Sequence, residues 1–353
     1  MPGLAEGPAP LEIAFAVSLP HSLLATVGLI CAAPRFEGLA DRLWVLRNRV
    51  PADLLSELCQ LLTFPGSHQR FTSELISRLP GGAAGMDYPN FHAHMEAMFG
   101  IHYQYLALRA LARGVQDPLP PSELIDLLAR PDDWAAYLQR IESDVPPEIV
   151  AQLVEDGERL KRRVIAALDR FWHEIYRPEF EATRPLMERS VVYHQSQHHS
   201  AAFEDTFLAI TGRLVPARVD ELLPIMTRVT FIPSCYVGPY VAYADVDQEL
   251  ILFYNCRSTP AGPGVSNGTA LYPPLKALAD ETRLQILILL QGREMYAQEI
   301  VDRLDISQPA VSRHLNLMAT AGILKVRPDG NAKYYSIDVE RLARLVDGLR
   351  ALL

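Results

Sequence analysis

Three sets of residues in this 353-residue chain have the type and spacing to do chemistry. The first is Ser307-Gln308-Pro309-Ala310-Val311-Ser312-Arg313-His314-Leu315. Ser307 suits a helix N-cap, because its hydroxyl can accept from a first-turn N–H. Pro309 then falls where a missing N–H costs nothing. Val311, Leu315 and Met318 recur at i, i+4, i+7 and predict one buried face. Gln308, Ser312, Arg313 and Asn316 lie opposite, and Gly322 is a C-terminal stop. Such a helix offers hydrogen bonds to base edges in a major groove. The second set is histidine-rich. His92 and Glu96 share a helical face, as do His194 and His198. Two imidazoles at i, i+4 can bind one zinc ion, so His194 and His198 are the metal candidates. No H-E-x-x-H and no third ligand accompanies them, and histidines so placed are usually surface or core residues. The third set is aromatic: Phe171, Trp172, Tyr176, Tyr236, Tyr240 and Tyr254, among others. Such side chains wall a pocket for a small organic ligand or fill a helix-on-sheet core. No G-x-S-x-G, phosphate loop or dinucleotide fingerprint is present, so no catalytic residue is assigned and the chain is not read as an enzyme. No cofactor is expected.

The elements that must position these groups are mainly helical. A strand is expected at 13–17. Helices are expected at 21–32, 38–49, 51–64, 69–79, 90–113, 122–129 and 132–141. A longer one spans 147–176, is interrupted at Pro178 and resumes over 187–199. Runs at 229–232, 240–243 and 250–254 then read as a three-stranded antiparallel meander. Residues 257–270 are a Pro/Gly/Ser-rich linker. After it come helices at 274–279, 281–290 (capped by Asp280), 297–304 and 308–320. A basic hairpin, 324–327 and 333–337 around a 328–331 turn, forms a wing, and a last helix runs over 339–353. The fold class is therefore mainly α with a small antiparallel sheet. A helical N-terminal domain at 10–256 carries the meander, and a winged helix-turn-helix follows at 271–353.

Charge supports that division. Net charge is −9. Residues 271–353 hold 11 Lys and Arg against 10 Asp and Glu, whereas 1–270 hold 22 against 32. Only the C-terminal part can approach phosphates without a penalty. No stretch of about 20 apolar residues predicts a membrane span. The start shows no signal-peptide pattern, so a cytoplasmic protein with no membrane partner is expected. Cys31, Cys59, Cys235 and Cys256 form no C-x-x-C and read as reduced thiols, with Cys235 and Cys256 able to face each other across a sheet.

Leu275-Lys276-Ala277-Leu278-Ala279-Asp280-Glu281-Thr282-Arg283-Leu284, the 307–315 stretch and Ala321-Gly322-Ile323-Leu324 together resemble the ArsR/SmtB family of winged-helix repressors. The resemblance covers about residues 271–353. It implies a homodimer through the first and last helices of that domain. Two recognition helices would enter successive major grooves of double-stranded DNA at an inverted-repeat operator, with wings over the flanking minor grooves. It also implies repression relieved by an effector. On this view Ser307, Gln308, Ser312, Arg313, His314 and Asn316 are the DNA-binding residues of the helix. Arg327, Asn331, Lys333 and Tyr335 are those of the wing. The Cys-x-Cys metal pair of metal-responsive relatives falls at Tyr296 and Gln298, which lack a thiolate. The last helix offers Asp338 but no following His. The long N-terminal domain is similar to that of a poorly characterised group of long ArsR-type regulators, which supplies no chemistry. It reads as an effector-binding domain for a small molecule or protein. The alternatives are a histidine-dependent metalloprotein or metalloenzyme fused to a DNA-binding tail, and a dimerisation scaffold without a ligand.

Overall fold

The computed structural model describes residues 11–36, 39–63, 71–112, 155–197, 203–213, 215–238, 240–256, 274–329 and 332–350, with scattered positions between 123 and 139. The helices expected at 122–129 and 132–141 fall largely outside these residues, as does the linker. No described helix is long and apolar enough to cross a membrane.

The body is built on α1 (Leu19–Ala32). Pro20 lies in its first turn. Leu23, Leu24, Val27 and Ile30 are wholly buried. A helix apolar on most sides must sit inside its neighbours, and α2 (Asp41–Arg49), α3 (Ala52–Leu62) and α4 (Phe71–Ile76) pack around it. Cys31 and Cys59, expected as reduced thiols, are joined as a disulfide with Cα atoms 5.2 Å apart. The two turns that fold α3 back along α1 bring them together, and their spacing of 28 residues gives no hint of it.

The single helix expected over 90–113 is two, α5 (Tyr88–Ala97) and α6 (Gly100–Ala112). Asp87 caps α5 by accepting from the Asn90 N–H at 2.9 Å. The break after Ala97 lets the Gly100 backbone meet Gly157, where a Cβ on either glycine would lie within 2.6 Å of backbone. The Glu158 carboxylate accepts from the Gly100 N–H at 2.7 Å.

Helix α7 (Gly157–Arg170) continues through a π-helical turn, Phe171–Tyr176, directly into α8 (Arg177–Ser196). Asp156 caps its start; residues 147–154 lie outside the described set. Pro178 does not interrupt the helix as expected. The Arg177 N–H reaches the Trp172 carbonyl, five residues back. This wider turn, placed just before the proline, takes up the misfit that a ring without an N–H makes in an α-helical ladder.

The sheet differs from the expected meander. Strands β1 (Glu12–Phe15), β2 (Arg228–Ser234), β3 (Ala242–Val246) and β4 (Glu249–Asn255) lie in the order β1-β2-β4-β3. β1 and β4 both run parallel to β2, and only β3 is antiparallel, to β4. The reason lies in β2 and β4, which are buried on both faces. Ile232, Ile251 and Phe253 join the helical core, whereas Phe231, Leu252 and Tyr254 join a second cluster with Phe203 and Phe207 of α9 (Phe203–Thr211). Runs buried on both sides suit parallel pairing.

After the linker, a short helix α10 (274–278) precedes α11 (Glu281–Leu289). Asp280 caps α11 through the Arg283 N–H at 3.0 Å. Arg283 is buried and donates from Nε to the Ala277 carbonyl (2.6 Å) and from Nη2 to the Lys276 carbonyl (3.3 Å), locking the two helices together. Strand β5 (Met295–Tyr296), α12 (Ala297–Leu304), α13 (Gln308–Thr320), β6 (Leu324–Asp329), β7 (Ala332–Ile337) and α14 (Val339–Arg350) complete a winged helix-turn-helix. β5 adds a third strand to the expected hairpin by pairing with Tyr334 and Tyr335 of β7.

Two outcomes follow from this packing. Burial lowers the pKa of His21 from 6.5 to about 4. The unfolded chain therefore takes up the proton first, and stability present above pH 6.5 is lost as pH falls toward 4. Between pH 7 and 5 the wild type should lose about 2 kcal/mol more than His21→Asn in urea unfolding; equal losses would contradict the burial. Arg283→Ala leaves two carbonyls without their charged donor, and should lower stability by about 2–3 kcal/mol, read from the melting of the C-terminal domain.

Candidate nucleic-acid interface

The rotation of α13 is set by its apolar side. Val311, Leu315 and Met318 are all wholly buried, in a core shared with Ile286, Ile300 and Leu324. The opposite side is then forced outward. Gln308, Arg313 and Asn316 are exposed and Ser312 is partly exposed. The helix-turn-helix corner is made by Asp305, which takes a left-handed conformation (φ 53°) at the end of α12. Gly322 ends α13 with φ +75°. The Gly322 N–H reaches the Ala319 carbonyl and the Ile323 N–H the Met318 carbonyl, which satisfies two terminal acceptors.

Ser307 stands at the N-cap, but its side chain makes no cap hydrogen bond. Its hydroxyl is thus not consumed by the helix, and the residue is exposed beside Gln308. His314 is placed differently from its neighbours. Its side chain is largely buried, with Nδ1 3.9 Å from Asp280 Oδ1 at the start of α11, too far for a hydrogen bond.

The wing candidates separate in the same way. Lys333 is exposed. Arg327 is exposed, donates to the Glu294 carboxylate at 2.6 Å and lies 4.8 Å from the centroid of the Tyr334 ring. Sequence reading missed this Glu294–Arg327–Tyr334 group, because Glu294 precedes Arg327 by 33 residues and is brought beside it by β5. Tyr335 corrects the expectation that it faces DNA. It is 6% exposed and belongs to the core, because β7 alternates and its Tyr334 neighbour takes the outward position. Burial also raises its pKa. Asn331 lies outside the described residues.

Of the two metal candidates, only His194 is among the described residues. The His194 ring is buried, stacked on Phe15 at 5.6 Å and edge-on to Tyr254 at 5.4 Å. His198 lies outside the described residues. Among the described residues no three His, Cys, Asp or Glu side chains converge to hold a metal ion. In the winged domain Gln298 donates to Asp302, and Asp338 caps α14 through the Arg341 N–H.

An apolar surface remains on the domain's outer helices. Leu284 and Ile288 of α11 and Val339, Val346 and Leu349 of α14 are all exposed, Ile288 to 68% and Val339 to 70%. A groove of about 550 Å³ between the end of α11 and α14 is lined by Leu290, Ile337, Val339, Leu342 and Val346.

Residues 280–326 match the family model described as bacterial regulatory protein, arsR family. The chain is 44% identical over 78 residues to an uncharacterised HTH-type transcriptional regulator of Methanocaldococcus jannaschii, covering 21% of this chain and 88% of that protein. It is 40% identical over 63 residues to the transcriptional repressor SdpR of Bacillus subtilis, covering 18% and 70%. Among solved structures, HlyU of Vibrio cholerae aligns at 31% identity over 24% of this chain and 94% of that one, with a TM-score of 0.22. With that level of identity over most of the length of its relatives, this chain belongs to the arsR family of bacterial regulatory proteins.

Proposed function

We propose that the protein is a homodimeric transcription regulator, a repressor, that binds an inverted-repeat operator through its winged domain and takes its signal through the body. The observation that carries this reading is the outward row Ser307, Gln308, Ser312, Arg313 and Asn316 above a buried apolar ridge, on the second helix of a helix-turn-helix. Arg and Gln have the bidentate geometry for guanine and adenine edges, and Ser and Asn complete a mixed reading surface. Lys333 and the Arg327 group supply backbone contacts from the wing. Tyr335 acts from within, by packing the wing onto the core.

The second copy is argued from the uncovered apolar positions on α11 and α14. A soluble domain does not leave such a patch on two adjacent helices without a use for it, and closed twofold pairing is the commonest way to cover one. The body, which has its own core, is the part left to receive a signal. No specific observation favours the metalloenzyme reading, since the His194 ring is committed to aromatic packing.

Two experiments test this. A duplex selected from a random pool by the full-length protein should bind Arg313→Ala about 5–150-fold more weakly, the equivalent of about 1–3 kcal/mol. Lys333→Ala should lower the slope of log K against log salt by about 1 without changing the preferred sequence. Unchanged binding of both variants across salt concentrations would remove the interface from α13 and the wing. In sedimentation, Ile288→Asp and Val346→Asp should turn a dimer into a monomer; dimers in both variants would place the twofold elsewhere.

A further inference from the structure

The body contains a second pair of sulfurs that the proposed function does not use. β2 and β4 are adjacent parallel strands paired up to Ser234 and Asn255. The next residue on each is a cysteine. Cys235 and Cys256 therefore stand side by side at the same end of the sheet, with Sγ atoms 2.8 Å apart. Neither is in a disulfide, and both are buried, 1% and 0% exposed, inside the large core of the body.

The geometry selects the chemistry. A tetrahedral thiolate site with metal–sulfur bonds of about 2.3 Å spaces two sulfurs about 3.8 Å apart, wider than the separation found. Among the described residues no third ligand joins them. A disulfide, with sulfurs about 2.05 Å apart, needs only a small further approach. Burial restricts the oxidant. A protein-sized disulfide donor cannot reach either sulfur, whereas a small hydroperoxide can enter by local opening of the strand ends. Cys31 and Cys59 show that a disulfide is compatible with this body.

We propose that Cys235 and Cys256 form a hydroperoxide-responsive dithiol that closes to a disulfide when it is oxidised. One thiol sulfur attacks the peroxide, the O–O bond breaks, and an alcohol (water, for hydrogen peroxide) leaves with a sulfenic acid remaining on the sulfur. The second sulfur attacks that sulfenic sulfur. The S–O bond breaks, the S–S bond forms, and the hydroxyl leaves as water with the second thiol's proton. Two thiols and one hydroperoxide thus give one disulfide, one alcohol and one water, and the two electrons lost by sulfur are gained by the peroxide oxygens.

The test uses the full-length protein, reduced with dithiothreitol and then treated with hydrogen peroxide. Alkylation and peptide mass spectrometry should show a Cys235–Cys256 linkage. Closing the loop between residues 21 apart should raise Tm by about 5 °C. Cys235→Ala and Cys256→Ala should each abolish both changes, and so should Cys256→Ser if alanine disturbs folding. The double variant Cys31→Ala/Cys59→Ala should keep them. Thiols that stay open to alkylation after unfolding, or products that are only sulfinic or sulfonic acids, would overturn the dithiol.

Discussion

The burial of Val311, Leu315 and Met318 is the constraint on which the rest of the winged domain depends. Each fully buried aliphatic side chain is worth about 1.5–3 kcal/mol, so turning α13 about its axis costs far more than any single polar contact returns. The rotation is therefore fixed, and with it the identity of the outward row. Supporting interactions act on the same point. Arg283 holds α10 to α11, and β5 anchors the wing beside Tyr335. The outward row is fixed in place because it is the back of a packed core.

The body obeys the same physics at larger scale. α1 is enclosed by helices, and β2 and β4 are enclosed on both faces, so few of its aromatic side chains are left to wall an open site. Tyr176 shows this: its hydroxyl meets Thr26 at 3.2 Å and burial raises its pKa well above the ordinary value. Several aromatic residues that suggested a ligand pocket in the sequence, including Phe171, Trp172, Tyr236 and Tyr254, are buried members of two adjoining cores. What distinguishes the body chemically is its sulfur, one bonded pair between α1 and α3 and one unbonded pair at the strand ends.

The C-terminal domain was legible because its signals are local. Caps, a Gly stop and i, i+4 spacing place α11 to α14 within a few residues, and the exposed polar row follows from the period alone. The wing was half legible: alternation predicts a hairpin, but not which of Tyr334 and Tyr335 faces inward, since both are compatible with either side of a strand. In the body, local signals misled wherever a long-range contact decided the outcome. The Gly100–Gly157 approach breaks a helix that its own residues would continue. The π turn carries a helix past Pro178. Burial on both faces makes β2 and β4 parallel neighbours, which hairpin logic cannot anticipate. The Cys31–Cys59 bond has the same origin, since only the packing of α3 on α1 brings those residues together.

Hydrogen–deuterium exchange of the full-length protein, with and without its selected duplex, tests most directly the claim that the α13 surface and the wing carry DNA binding. Amides at 308–316 and 325–335 should slow markedly on binding, while those of α1 to α6 stay unchanged. Protection confined to the body, with α13 and the wing exchanging as in the free protein, would contradict the account.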